Sequence, residues 1–144
     1  PVPQIVGLGK AIELCLKIKD EESQRLKILR DLMLRSIQKV HPDVILNGSL
    51  EQRLVHNLNL CFPGLEAESI IMKMKTVACS TGSACSSANL EPSHVIKAIG
   101  RDSEIAHSAI RFSLGRFTTK DEIHFAIQEI NRTVSELKKR SRGY

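Results

Sequence analysis

Two residues in this chain combine a reactive type with a revealing setting. Cys85 stands in TGSACSSANLEP (Thr81 to Pro92), among residues too small to bury it, and Arg111 lies in AIRFSL (Ala109 to Leu114). A thiol on a tether of Gly, Ser and Ala is available to react and to travel. The bland alternative is an incidental loop cysteine. No strong base is near in sequence: His94 falls in the helix predicted next, and Lys97 lies one turn further on. Activation must therefore come from a bound substrate or from elsewhere in the fold. In AIRFSL the period of two puts Ile110, Phe112 and Leu114 on one face and Arg111 and Ser113 on the other. The Arg111 guanidinium must then meet water, an acid or an anionic ligand. Its planar fork suits a carboxylate, and a surface pair with a Glu is the competing reading.

Other residues with chemical potential are weaker candidates. Cys15, Cys61 and Cys79 read as packing thiols on apolar faces, and no C-x-x-C or Cys/His spacing suggests zinc. Arg116, beside Gly115, reads as a solvated turn residue, and His107 as a residue at a strand start with no role. STGSACSSA lacks the order of a nucleophile elbow, and GLGKA near Gly7 is not a phosphate-binding glycine motif.

The elements that must position Cys85 and Arg111 follow from periodicity. Pro3 to about Lys19 forms a helix apolar nearly all round, and Glu21 to Val40 a second one that His41-Pro42-Asp43 stops. VILNG is a short strand ending at a turn. NLNLCF alternates, with Leu58, Leu60 and Phe62 against Asn57, Asn59 and Cys61. A helix over Glu66 to Lys75, a strand TVACS, a helix from Leu90 to Ile99 closed by Gly100, and the strand AIRFSL come next. The last helix opens at TTKDE, where Thr118 with Asp121 or Thr119 with Glu122 makes a capping box, and Ile123, Ile127, Ile130, Val134 and Leu137 form its stripe. The fold class expected is α/β of the α+β type, a small sheet packed by helices.

Composition narrows the partners. The chain has 144 residues, 42% hydrophobic, enough for one domain. Aromatics are 3% with no Trp, which leaves few platforms for stacking bases. The net charge of +5 is spread along helices, apart from Lys138, Lys139, Arg140 and Arg142, and reads as a solvated face; a basic nucleic-acid module is the alternative. Free thiols and no signal peptide suggest the cytoplasm, and no apolar run is long enough to span a bilayer.

STGSACSS, LEPSHVIKAIG and AHSAIRFSLGRFTTKDEI resemble the carboxy-terminal part of the pyridoxal-phosphate-dependent cysteine desulfurases that serve iron–sulfur cluster assembly. These enzymes are class V aminotransferase-family members. The resemblance extends back through LNGSLEQRLVHNLNLCFPGLEAESIIMKMK to PVPQIVGLGKA. It implies the small domain of the aminotransferase-like fold over residues 21–144, carrying a mobile cysteine loop at 80–89, preceded by a linking helix over 1–20. It also implies that Cys85 takes sulfur from L-cysteine as a persulfide, leaving L-alanine, and that Arg111 grips the substrate carboxylate. The implied partners are an iron–sulfur scaffold, whose nascent cluster Cys85 approaches, other sulfur acceptors, and a second copy of the whole enzyme. Family members also need a cofactor-binding lysine preceded by histidine, and no His-Lys pair occurs here, so this chain alone is expected to bind no cofactor and to be inactive. A stand-alone persulfide carrier is the competing function.

Overall fold

A computed structural model describes residues 1–81 and 92–141. Its elements in chain order are α1 (Val2–Val40), β1 (Ile45–Leu46), β2 (Asn57–Cys61), α2 (Ala67–Lys73), β3 (Ser80–Thr81), α3 (His94–Ala98), α4 (Ser103–His107), β4 (Ala109–Ser113) and α5 (Lys120–Ser141). The four strands form one antiparallel sheet in the order β1-β2-β4-β3.

The two helices expected over residues 3–40 are one. The charged run Lys19 to Glu22 interrupts the apolar pattern, but it holds neither Gly nor Pro, and all four residues propagate a helix once it is nucleated. The boundary expected at residue 20 therefore falls inside continuous helix. Packing does change along it: Val2 to Leu16 leave their apolar side chains exposed, whereas Leu26, Leu29, Met33, Leu34 and Ile37 are buried at three- and four-residue steps. α1 ends at Val40, ahead of Pro42 as expected.

α1, α2 and α5 cover one face of the sheet. Leu58 and Leu60 of β2 and Ile110 and Phe112 of β4 meet Ile37, Ile70, Ile130 and Val134 there. Burying such a side chain fully contributes about 1.5–3 kcal/mol, so this layer supplies most of the fold's driving force. Among the described residues the other face is covered at one end only, where Cys61 and Ala109 pack with Ile96 of α3 and Ala106 of α4. Its remaining half carries Asn57, Asn59 and Arg111.

Three further expectations change. Of TVACS only Ser80 is strand: Thr76, Val77 and Ala78 border, with Phe112 and Phe125, a cavity of about 340 Å³, and pairing with β4 begins at Ser80. Ser80, expected at the end of that strand and the start of the loop, and Thr81, expected in the loop, make up β3. The helix expected from Leu90 begins at His94, after Pro92 and Ser93; residues 90 and 91 lie outside the described residues. Its end is as expected. Gly100 adopts φ +92°, its N–H donates to the Lys97 carbonyl at 2.9 Å, and the Arg101 N–H donates to that of Ile96 at 3.3 Å. His107 ends a helix, α4, rather than starting a strand: Asp102 caps it by accepting from the Ile105 N–H at 2.8 Å.

At α5 the capping box is Thr119 with Glu122. The Glu122 N–H donates to Thr119 Oγ1 at 3.2 Å, and the Thr119 N–H to Glu122 Oε2 at 2.7 Å. Thr118 instead accepts from the Gly115 N–H at 2.9 Å. Arg25 ties this turn to α1 by donating to the carbonyls of Thr118 at 2.6 Å and Arg116 at 2.5 Å.

Where α1 ends against α5, His41 is buried, and its Nε2 has no partner among the described residues. Burial lowers its pKa, with the nearby Lys138 cation acting the same way; the Asn131 carbonyl and Asp43 oppose them. The folded chain therefore holds a neutral imidazole while the unfolded chain titrates near 6.5. Stability from this group is complete above about pH 6.5 and is lost as pH falls through the lowered folded value. Asp43 does not confuse the reading. Burial raises its pKa, but the bond and charge of Lys138 outweigh that and hold it low, so it titrates in a more acidic window. Urea melts between neutral pH and about pH 5 should show a falling midpoint that His41→Gln flattens. An unchanged slope in the variant would remove His41 as the cause.

Candidate functional site

Arg111 occupies the middle of β4 and is exposed, on the face opposite buried Ile110 and Phe112. Its register partner on β2 is Asn59 and on β3 Ser80. The hydrogen-bonded pairs of the β2–β4 ladder are the even residues of β2, since the Leu114 N–H donates to the His56 carbonyl and the Phe62 N–H to that of Ser108. Asn59 and Arg111 are consequently a non-hydrogen-bonded pair, with Cα atoms about 4.5 Å apart and side chains adjacent. Together they line a cavity of about 340 Å³ with Asn47, Arg53, Asn57 and Ser93.

A hydrogen-bonded network stiffens one wall. Arg101 Nε donates to Asn47 Oδ1 at 2.9 Å and its Nη2 to the Leu46 carbonyl at 2.9 Å. Asn47 Nδ2 donates to Asn59 Oδ1 at 2.7 Å and to Cys61 Sγ at 3.0 Å. Arg53 donates to the carbonyls of Asn47, Ser49 and Asn57. The turn it clamps needs Gly48, at φ +76°, where a Cβ would also press on the Arg53 guanidinium at 3.3 Å. Arg53, which lines the cavity, and Arg101, behind Asn47, are committed to the wall, whereas Arg111 faces outward. Sequence reasoning missed Asn47, Asn59, Arg53 and Arg101; the signals available were the Asn47-Gly48 turn and the two asparagines on the polar side of NLNLCF.

Cys85 lies outside the described residues. The described chain on either side of it is close to Arg111: Ser80 is its cross-strand partner, and Ser93 lines its cavity. The other cysteines divide. Cys61 is buried as expected, and Cys79 is half-buried, burial pushing its thiol pKa up. Cys15 corrects the expectation of a buried thiol: it is exposed, as are the apolar side chains around it in the first half of α1. Its Sγ lies 3.7 Å from Arg116 Nη2. Arg116 is not simply solvated either, since its Nε meets Glu22 Oε2 at 3.1 Å. His94 and Lys97 are exposed on α3.

The residues around Arg111 suit the carboxylate of an amino acid and do not suit pyridoxal phosphate. Among the described residues no lysine lines the cavity to bond the cofactor, no acid to pair its ring nitrogen and no aromatic ring to stack on it. Among the described residues no cluster of three His, Cys, Asp or Glu side chains could hold a metal ion, and no helix is long and apolar enough to cross a membrane.

The sheet, its helical cover and this polar wall define a class of protein. Residues 1–125 match the model for the aminotransferase class-V family, and the chain belongs to that family. Its curated relatives include the cysteine desulfurase IscS of Dechloromonas aromatica (strain RCB), 48% identical over 141 residues, 98% of this chain and 35% of that relative. The IscS of Methylobacillus flagellatus is 48% identical over 138 residues, 96% of this chain and 34% of the relative. The chain thus spans about a third of the length of these relatives. Among solved structures, a NifS-like protein superposes with a TM-score of 0.79 at 25% identity, over 94% of this chain and 34% of the other. One from Rickettsia africae superposes with a TM-score of 0.74 at 23% identity, over 91% and 34%. The fold is therefore the α+β arrangement expected, shared with NifS-like proteins.

Proposed function

We propose that this chain is part of a cysteine desulfurase, contributing the arginine that holds the substrate carboxylate and the thiol that receives its sulfur. One observation carries the proposal: the chain leading to Cys85 and the chain returning from it both border Arg111. The high identity to IscS enzymes supports it, and placement toward the carboxy end rests on the motif resemblance alone.

Arg111 orients L-cysteine by its carboxylate, and the Cys85 thiolate attacks the substrate sulfur. A sulfur–sulfur bond forms and the carbon–sulfur bond breaks. The carbon is reduced and gains a proton, giving L-alanine, while the two sulfurs share the oxidation as a persulfide, so no external oxidant is needed. The relatives' class implies pyridoxal phosphate in the whole enzyme. The described residues around Arg111 offer it no anchor, so the chain alone is proposed to be inactive. By the same resemblance, the persulfide passes to a cytoplasmic acceptor such as an iron–sulfur scaffold, from a homodimeric enzyme.

The test is peptide mass spectrometry of the enzyme containing this chain after exposure to L-cysteine. The Cys85 peptide should gain the mass of one sulfur, and Cys85→Ser should abolish both that gain and sulfide release. Extra sulfur on Cys79 or Cys15 instead would overturn the assignment.

A further inference from the structure

We propose that Asn59 is a second hydrogen-bond donor to the carboxylate held by Arg111, and that Arg101, acting through Asn47, positions it. The inference rests on the carboxylate-binding reading of Arg111. Its logic is donor and acceptor bookkeeping. A guanidinium only donates, so the contact of Arg101 Nε at 2.9 Å requires Asn47 to present its Oδ1. The Asn47 Nδ2 is then turned the other way, where it donates to Asn59 Oδ1 at 2.7 Å and Cys61 Sγ at 3.0 Å. The oxygen of Asn59 is thereby occupied, and its Nδ2, with two N–H groups, is the end left for a ligand. Among the described residues that nitrogen has no partner.

The reverse orientation is costly. Turning Asn59 over would oppose two donor groups at Asn47, and turning Asn47 to follow would oppose two donors at Arg101. The charge on Arg101 is permanent, so the setting does not depend on pH. The consequence at the site is specific. An outward Asn59 oxygen beside Arg111 would accept from its guanidinium and satisfy it, whereas an outward NH₂ leaves the fork to an anion and adds a donor to it. Cross-strand adjacency in the narrow register puts the two groups within reach of one planar carboxylate. Asn59 is thus a binding residue, and Asn47 and Arg101 are positioning residues.

The test is a titration of the 144-residue chain with acetate, followed by side-chain amide and guanidinium NMR. The Asn59 Nδ2 protons should move downfield with the same midpoint as Arg111 Nε–H. Asn59→Leu should weaken binding about tenfold, or about 1.4 kcal/mol, while Arg111 still titrates. Arg101→Met should weaken it as well and diminish the Asn59 shift, a spectroscopic change that a merely structural role would not produce. If Arg111 titrates and the Asn59 amide of the unmodified chain does not, this inference fails and the reading of Arg111 stands. If neither titrates up to tens of millimolar acetate, or Arg111→Ala leaves the Asn59 shift intact, both fail.

Discussion

Arg111→Ala, in the cysteine desulfurase proposed to contain this chain, should raise KM for L-cysteine by roughly ten- to a hundredfold while leaving kcat within a few-fold. Charge-assisted hydrogen bonds to a carboxylate are worth about 1.5–3 kcal/mol, and each 1.4 kcal/mol is a factor of ten. The split between constants is the sharper part. The carboxylate keeps its charge from substrate to transition state, so an arginine that grips it binds both alike, and such uniform binding appears in KM. Arg111→Lys should fall between, keeping the charge but losing the fork. The backbone should be indifferent to either change, because the side chain is exposed and β4 is held by Ile110 and Phe112. Steady-state kinetics on the three enzymes decide. An unchanged KM in the alanine variant would remove Arg111 from the site.

Asp31→Ala should destabilise the fold by about 3 kcal/mol, the scale for leaving a buried charge unpaired. Arg30 is the largest fully buried side chain among the described residues, at 1% exposure. Its Nε and Nη2 both donate to Asp31 Oδ1, at 2.9 and 2.6 Å. The same carboxylate acts on a second guanidinium. Burial and the Arg30 charge lower the proton affinity of Arg53, and Asp31 partly restores it. Without Asp31, the buried Arg30 charge is unpaired and its effect on Arg53 is no longer offset, and the Asn47 turn that Arg53 clamps should loosen. Urea unfolding should show the loss as a lower midpoint at unchanged slope. Arg30→Met combined with Asp31→Ala should recover most of it, since an apolar side chain of similar length needs no partner. A double variant as unstable as the single one would place the cost in packing rather than charge.

What could be read without tertiary structure were properties of short range. The alternation of AIRFSL set Arg111 apart from Ile110 and Phe112, the steps of α5 named its buried stripe, and Gly100 and Pro42 marked helix ends. Each depends on neighbours a few residues away, as does the setting of small residues that singled out Cys85. Long-range facts were hidden. Lys19 to Glu22 look like a boundary until the uninterrupted helix shows otherwise, and Cys15 shares its apolar surroundings with residues that turn out to be exposed. Arg30 sits among core positions that a polar label disguises, because only Asp31 and the closing of the sheet make its burial affordable.

The sequence by itself therefore determined the chain's local chemistry: a thiol among small residues, an arginine out of phase with its apolar neighbours, and the family to which both belong. The tertiary structure decided their setting. Antiparallel pairing brought Asn59 and Ser80 to Arg111 from 52 and 31 residues away, since Asn59 and Ser80 are both its register partners. It also linked Arg101, Asn47 and Asn59 into a wall of fixed polarity. Hydrogen-bond direction is set by which donor meets which acceptor, and that meeting exists only once the strands are in register.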